Sequence, residues 1–127
     1  MALTNAGRDA LAGAVTGAVT THFDAANARI GVGDSITAFA VAQTDLQAST
    51  NKLRKVMDAT YPTTTGNVLV FQSTYTGAEA NFAWNEWGVF NAAAAGTMLN
   101  RVVEYNGTKL SGQTWIFKVT LTVNIGT

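Results

Sequence analysis

The chain has 127 residues, and its eight lysine and arginine residues balance eight aspartate and glutamate residues, so the formal net charge is zero. Charged residues make up 13% of the sequence, against about 25% in an average globular protein. No basic stripe is present, which argues against nucleic-acid binding because phosphate contacts need clustered lysine and arginine. The chain contains no cysteine, which excludes disulfides, zinc fingers and thiol nucleophiles.

One composition runs through the whole chain and predicts a single domain, residues 1–127, with a helix in residues 1–20 and a β-sandwich in residues 28–127. The low charge favours a subunit of an assembly, because charge depletion is typical of buried interface cores. A threonine-rich β protein without partners fits the composition equally well. The sequence shows neither the basic and apolar regions of a signal peptide nor an apolar run of about 18 residues for a membrane span.

The first predicted element is a helix over the sequence LTNAGRDALAGAVTGAV, which ends at Val19. Thr4 or Asn5 can cap it, and Leu11 and Val15 belong to an apolar face with helical spacing. Its three central glycines each weaken it by up to about 1 kcal/mol relative to alanine. We therefore expect this helix to pack on a sheet or on a neighbouring subunit.

Shorter elements follow. The pattern predicts a strand from Ala28 to Val32, a helical turn over Thr44–Ser49, a strand over Lys52–Pro62, a turn over Thr63–Asn67 and a strand over Val68–Thr76. Gly66 supplies any positive φ in the turn. The Val68–Thr76 segment is rich in β-branched and aromatic residues, and we expect it to pair antiparallel with the strand before it.

The C-terminal segment QTWIFKVTLTVNI has the clearest strand pattern. Its apolar residues alternate without a fault from Trp115 to Ile125, while Lys118 and the threonines occupy the other face. A long strand with one apolar face is typical of antiparallel sandwiches and barrels. The sequence therefore predicts a mostly β protein, an antiparallel β-sandwich (jelly-roll-like) of about six strands with an N-terminal α-helix.

None of the sequence motifs indicates catalysis. His22 is the only histidine, Asp24 lies too near it to orient it in a hydrolase triad, and there is no Gly-x-Ser-x-Gly elbow. The segment GVGDS contains Gly31 and Gly33 but lacks the third glycine and the helix of a dinucleotide-binding loop. The carboxylates are dispersed and suggest no glycosidase pair. We expect no enzymatic activity, no cofactor and no metal site.

The run NEWGVFNAAAAGTMLNR, from Asn85 to Arg101, predicts a β-hairpin that turns over Ala92–Gly96, here called the alanine turn. At strand period neither face of its first strand is wholly apolar. This pattern favours burial of both faces, one against the protein's own core and the other against a partner. Trp84 or Trp87 could instead form a platform on which carbohydrate stacks.

Glu86 and Arg101 fall near the open end of this hairpin. An ion pair between them would satisfy two charges on a semi-buried strand pair. We therefore predict a Glu86–Arg101 bridge, with a register that the sequence leaves open.

NEWGVFN, the alanine turn, GTMLNR and the alternating WIFKVTLTVNI follow one another in the C-terminal third. This order resembles the tail-fibre and tail-collar domains of tailed bacteriophages, in which an E-x-G-(I/V)-F-(N/D) strand leads into a turn, an apolar strand and a closing alternating strand. Together, ALTNAGR, IGVGDS and NEWGVFN are similar to short stand-alone virion proteins over most of the chain. The sequence stops after the closing strand without a fibre shaft or receptor-binding tip, which favours a small subunit over a whole fibre.

The resemblance implies a non-enzymatic structural subunit of a tailed-phage virion, made in the host bacterial cytoplasm and attached to the head, neck or tail as capsid decoration or fibre base. The expected partners are copies of the chain itself, with a trimer favoured, and other virion proteins, but neither nucleic acid nor membrane. The alternative is a tail-fibre, receptor-binding or carbohydrate-binding module. The residues expected at protein contacts are Leu3, Leu11, Val15, Trp84, Glu86, Trp87, Phe90, Met98 and Arg101.

Overall fold

The computed structural model describes residues 2–18 and 21–124. These residues form, in chain order, α1 (Asn5–Thr16), β1 (Arg29–Gly33), β2 (Lys52–Val56), β3 (Thr63–Thr65), β4 (Val68–Tyr75), β5 (Glu86–Phe90), β6 (Val102–Val103) and β7 (Trp115–Thr122). The strands pair antiparallel in two sheets, with the orders β2-β1-β5-β6 and β3-β4-β7. The prediction of a mostly β protein with two antiparallel sheets and an N-terminal helix is therefore confirmed.

Helix α1 has the N-cap that the sequence predicts. The Thr4 hydroxyl accepts a hydrogen bond from the main-chain N–H of Gly7 at 2.9 Å, which satisfies one of the unpaired donors of the first turn. The helix is closed by its C-cap Gly17, whose N–H donates to the carbonyl of Gly13. The φ of 75° at Gly17 turns the chain so that the N–H of Ala18 reaches the same carbonyl at 2.9 Å. In the described part of the chain no helix is long and apolar enough to cross a membrane.

The helix is shorter than the predicted segment. Leu3 precedes the N-cap and forms an isolated β-bridge with Asn100, and Val19 lies outside the described residues. Gly7 is the buried residue of α1, and it packs on the main chain of Leu99. The helix therefore contacts the rest of the protein most closely through its first turn.

The partner of β4 differs from the prediction. β4 pairs with β3 on one side and with β7 on the other, while β2 pairs with β1. The chain crosses from one sheet to the other between Val56 and Thr63. The segment predicted as a turn, Thr63–Asn67, therefore contains β3, and the actual turn begins at Gly66, which has a φ of 60°. The alternation of a strand reports which faces are buried but does not identify the neighbouring strand.

The hydrophobic core lies between the two sheets. In β7, Val119 and Leu121 are buried, Phe117 is partly buried, and Lys118 is exposed, as its alternation predicts; Ile125, which the predicted strand includes, lies outside the described residues. The buried core residues are Ala28, Ile30, Val32, Met57, Phe71, Tyr75, Ala80, Trp84, Trp87, Val89, Leu99, Val119 and Leu121.

The predicted hairpin is present, but its second half is irregular up to Arg101, and the regular strand β6 begins only at Val102. Trp87 pairs with Val102, and Phe90 forms a bridge with Met98. The segment from Trp87 to Phe90 advances by three residues, whereas the opposite segment from Met98 to Val102 advances by four. The extra residue is a β-bulge, a feature that redirects side chains. Arg101 lies within this bulge and is 1% exposed.

Candidate functional site

Glu86 on β5 and Arg101 beside β6 form an ion pair in the interior. Arg101 Nε lies 2.8 Å from Glu86 Oε1, and both side chains are 0% exposed. The predicted bridge is therefore confirmed, and it is fully buried rather than semi-buried. Buried charges are stable only where hydrogen bonds and an opposite charge replace their hydration.

The Glu86 carboxylate has hydrogen-bond donors from distant parts of the chain. Its donors are Arg101 Nε at 2.8 Å and the main-chain N–H groups of Gln47 at 2.7 Å, Ala48 at 2.9 Å and Ser35 at 3.2 Å. The three main-chain donors all belong to the connection between β1 and β2, residues 34–51, here called the β1–β2 loop. Glu86 therefore fastens this loop to β5.

This arrangement corrects the prediction for Thr44–Ser49. The segment is an irregular part of the β1–β2 loop rather than a helical turn. A single helical turn gains little on its own, because its first hydrogen bond must fix several residues. The N–H groups of Gln47 and Ala48 bind the charged Glu86 instead, and a hydrogen bond to a charged group is the stronger kind.

The glycines of the GVGDS segment provide space for side chains of β5. A Cβ added at Gly33 would lie 2.5 Å from Glu86 Oε2, and one added at Gly31 would lie 2.7 Å from Phe90 Cε1. Both glycines lie on β1, which pairs with β5. Their role is close packing, which explains their spacing without a phosphate ligand.

The β1–β2 loop also supplies apolar cover for β5. Leu46, Phe90 and Met98 form a second, small buried cluster, and the guanidinium of Arg54 stacks on the Phe90 ring at 3.6 Å from its centroid. Every residue of β5 is buried. The second face of this strand, which the sequence suggests for a partner, is therefore covered within the protomer.

Arg54 on β2 also holds the alanine turn. Its Nη1 donates to the carbonyls of Ala92 at 3.0 Å and Ala95 at 2.9 Å, and its Nη2 lies 3.1 Å from Asp45 Oδ1. Burial raises the pKa of Asp45, but hydrogen bonds from Lys52 and Arg54 outweigh it and leave the pKa below its ordinary value of 3.8. Arg54 therefore ties the alanine turn to β2 and to Asp45.

The two tryptophans suggested as a carbohydrate platform lie in the core. Trp84 is 2% exposed and Trp87 is 8% exposed. Trp84 packs edge-on against Tyr75 and Trp115, with ring centroids 4.7 and 4.9 Å apart. The Trp87 indole donates to Glu104 Oε1 at 3.0 Å. Neither indole offers an open face on which a sugar could stack.

Most of the residues expected at protein contacts are interior. Those that are at most 8% exposed are Trp84, Glu86, Trp87, Phe90, Met98 and Arg101. The others, Leu3, Leu11 and Val15, belong to the N-terminal segment, and Leu11 is 38% and Val15 88% exposed. Of the expected contact residues, Leu11 and Val15 on α1 therefore remain accessible to a partner.

An apolar cleft separates α1 from the sheet β3-β4-β7. Its two lobes, of about 340 and 260 Å³, share Leu11, Leu69 and Leu99 as lining residues. His22 lies at the larger lobe among apolar side chains and is exposed. Across residues 2–18 and 21–124, no cluster of three histidine or acidic side chains could hold a metal ion.

Another ion pair, between Lys55 and Glu79, lies near the surface. Lys55 Nζ contacts both carboxylate oxygens of Glu79, at 2.9 and 2.7 Å. The main-chain N–H and the hydroxyl of Thr76 donate to Glu79 Oε1 at 2.8 and 2.9 Å. The hydrogen bond from Lys55, followed by that from the Thr76 main chain, lowers the pKa of Glu79 from 4.5 to about 2.

This pKa makes part of the stability depend on pH. The Glu79 carboxylate stabilises the fold fully above pH 4.5, and the contribution is lost as the pH falls towards 2. The difference in the free energy of unfolding between the wild type and Glu79→Gln should therefore shrink over this range in urea titrations. The exposed Gln113→Ala control changes no titratable group and should give a constant difference. A constant difference for Glu79→Gln would contradict the assignment.

Several hydrogen bonds in the interior join residues that are distant in sequence, so neighbouring residues do not indicate them. Arg101 Nη1 donates to Gln43 Oε1 at 3.1 Å, 58 residues away in sequence. Among the described residues, Arg101 Nη2 and Asn100 Nδ2 are buried without a hydrogen-bond partner. The one usable signal is an acid within an otherwise apolar strand, because a buried carboxylate needs several donors.

In sequence, the chain matches no protein-family model and no curated protein.

Proposed function

We propose that this protein is a non-enzymatic structural subunit of a tailed-phage virion. It assembles through contacts with copies of itself and with other proteins of the head, neck or tail. The order of the motifs NEWGVFN, GTMLNR and WIFKVTLTVNI supports the virion assignment by resemblance, and the same resemblance favours a trimer. The open apolar face of α1 is the structural observation that carries the assembly role.

Helix α1 is attached at its beginning and exposed beyond it. The Thr4 main-chain N–H donates to the carbonyl of Leu99 at 3.1 Å, and that of Asn5 donates to Val41 at 2.8 Å. Farther along, Leu11 is 38% and Val15 88% exposed. Full burial of such a side chain is worth about 1.5–3 kcal/mol. A neighbouring subunit that covers α1 would gain this energy.

The carboxylate ion pairs of the fold support a structural role rather than catalysis. Glu86 pairs with Arg101, and Glu79 pairs with Lys55. Each of these carboxylates also accepts main-chain hydrogen bonds, which hold segments of the chain in place. These contacts use the charges to stabilise the fold.

The variant Val15→Ser tests the role of α1 in assembly. We expect it to weaken self-association by about tenfold or more, because the contact loses most of one buried valine. Its unfolding should change little, since Val15 is 88% exposed in the protomer. Sedimentation velocity over a range of concentrations measures the effect. The control Asp9→Asn changes a residue whose side chain is 70% exposed and which lies about 120° around α1 from Val15, so it should leave association unchanged.

Reconstitution tests the virion assignment. Purified protein should bind phage particles assembled without it, and Val15→Ser should bind them less tightly than Asp9→Asn. A protein that sediments as a monomer at high concentration and fails to bind such particles would overturn the proposed function.

A further inference from the structure

The outer edge of β7 presents unpaired main-chain groups. In an antiparallel pair, alternate residues direct their N–H and C=O groups to the neighbouring strand, and the residues between direct theirs away. The N–H of Val123 donates to the carbonyl of Asn67 at 2.9 Å, so odd-numbered residues of β7 face β4. Gln72, opposite Lys118, instead uses its carbonyl to accept from Asp58 at 2.8 Å, which agrees with this assignment.

The even-numbered residues Ile116, Lys118, Thr120 and Thr122 therefore direct their main-chain groups outward, and we call these groups the β7 edge. All four residues are exposed. Within residues 2–18 and 21–124, β4 is the only strand that pairs with β7, and no hydrogen bond from another segment reaches the β7 edge. The edge is thus an open site for a further strand.

The other sheet edges carry the features by which proteins prevent strand pairing. β3 has three residues and β6 has two, which is too short for a stable ladder. β2 has five residues, of which Lys52, Arg54 and Lys55 are cationic. Short length and positive charge are common protections of edge strands. β7 has eight residues with Lys118 as its single charge, so it is the least protected edge in the described structure.

We propose that the β7 edge is a self-association surface, on which β7 of a second copy pairs antiparallel about a twofold axis with Lys118 opposite Thr120 of the second copy. This register places Ile116 opposite Thr122 and uses all four outward residues of each strand. Four such pairs exchange about eight hydrogen bonds. The register with Lys118 opposite Lys118 sets like charges together, which is destabilising, and each adjacent register loses one hydrogen-bonded pair.

The same register covers exposed apolar side chains. Trp115 of the second copy comes to lie opposite Val123, which is 57% exposed and lines the smaller lobe of the α1 cleft. Directly opposed residues have Cβ atoms about 4.5–5.5 Å apart, so the indole can cover the valine. Ile116, 65% exposed, gains Thr122 of the second copy as a neighbour. A second copy of this chain therefore fits the edge in hydrogen bonding, charge and apolar cover.

This contact goes beyond the proposed function and does not depend on the virion assignment. It is twofold and uses β7, whereas the proposed assembly contact uses Leu11 and Val15 of α1. Measurements on the Val15→Ser background distinguish the two, because that variant weakens the α1 contact and leaves β7 unchanged. Evidence against one of these contacts would therefore not count against the other.

Charge substitutions at Thr120 test the surface and its register together. On the Val15→Ser background, Thr120→Glu places a carboxylate opposite Lys118 in both halves of the contact, and Thr120→Lys places a second ammonium there. We expect the first to strengthen dimerisation and the second to weaken it, each by about 2- to 30-fold in Kd. Sedimentation equilibrium at low salt measures both. Shifts in the same direction would overturn the register.

Proline and hydrogen exchange test the edge directly. Thr120→Pro removes an N–H that faces solvent in the protomer, where edge strands tolerate proline, and it should abolish dimerisation while the protomer stays folded. The amides of Lys118 and Thr120 should exchange more slowly as the concentration rises, while that of Val119 should not change. A protein on the Val15→Ser background that remains monomeric up to its solubility limit would overturn the proposal.

Discussion

Replacing Arg101 with methionine is expected to lower the free energy of unfolding by about 3–5 kcal/mol, because it leaves the Glu86 carboxylate buried without its cation. The side chains of Glu86 and Arg101 are both 0% exposed, so water cannot take over the lost contact. Urea unfolding with linear extrapolation measures the change. The control Arg8→Met breaks an ion pair whose side chains are 67% and 70% exposed, and it should change stability by at most about 1 kcal/mol.

A double-mutant cycle separates the pair from its surroundings. Glu86→Gln and Arg101→Met should together cost less than the sum of the single changes, with a coupling of about 0.5–3 kcal/mol. Glu86→Gln should also speed amide exchange at Gln47 and Ala48, since their N–H groups donate to the carboxylate. Additive single effects would contradict the structural role of the pair. Unchanged exchange would contradict the role of Glu86 in fastening the β1–β2 loop.

The features that the sequence predicts correctly are local ones. The Thr4 cap depends on a donor three residues away, and the faces of β7 follow from its own alternation. The Glu86–Arg101 bridge could be predicted because a single turn connects the two strands that hold it. In each case the interacting groups are near in sequence, so residue type and spacing contain the information.

The features that the sequence does not predict depend on distant contacts. The donors Gln47 and Ala48 lie 39 and 38 residues from Glu86, and no periodicity indicates that the β1–β2 loop folds onto β5. This loop covers the face of β5 that the sequence suggests for a partner. The β7 edge likewise depends on distant contacts, because it is open only if β4 alone pairs with β7 among the described residues.

Gly88→Ala is expected to lower the free energy of unfolding by about 2–3 kcal/mol, near the upper end for overpacking a well-filled interior. An added Cβ would clash with the main-chain oxygen of Asn100, and that oxygen belongs to the bulge that places Arg101. Because main-chain atoms cannot move aside as a flexible side chain does, β5 and β6 would have to separate. The strain should therefore also weaken the Glu86–Arg101 pair.

Gly66→Ala is the matched control for this prediction. Its added Cβ meets no atom within 4 Å, but its φ is 60°, so the change should cost about 1 kcal/mol through backbone conformation alone. Urea unfolding should thus rank Gly88→Ala as the more destabilising change. In a Gly88→Ala background, Arg101→Met should lower the free energy of unfolding by less than it does in the wild type, because the ion pair is already distorted. Equal costs for the two alanine variants would show that close contact with Asn100 does not limit residue 88.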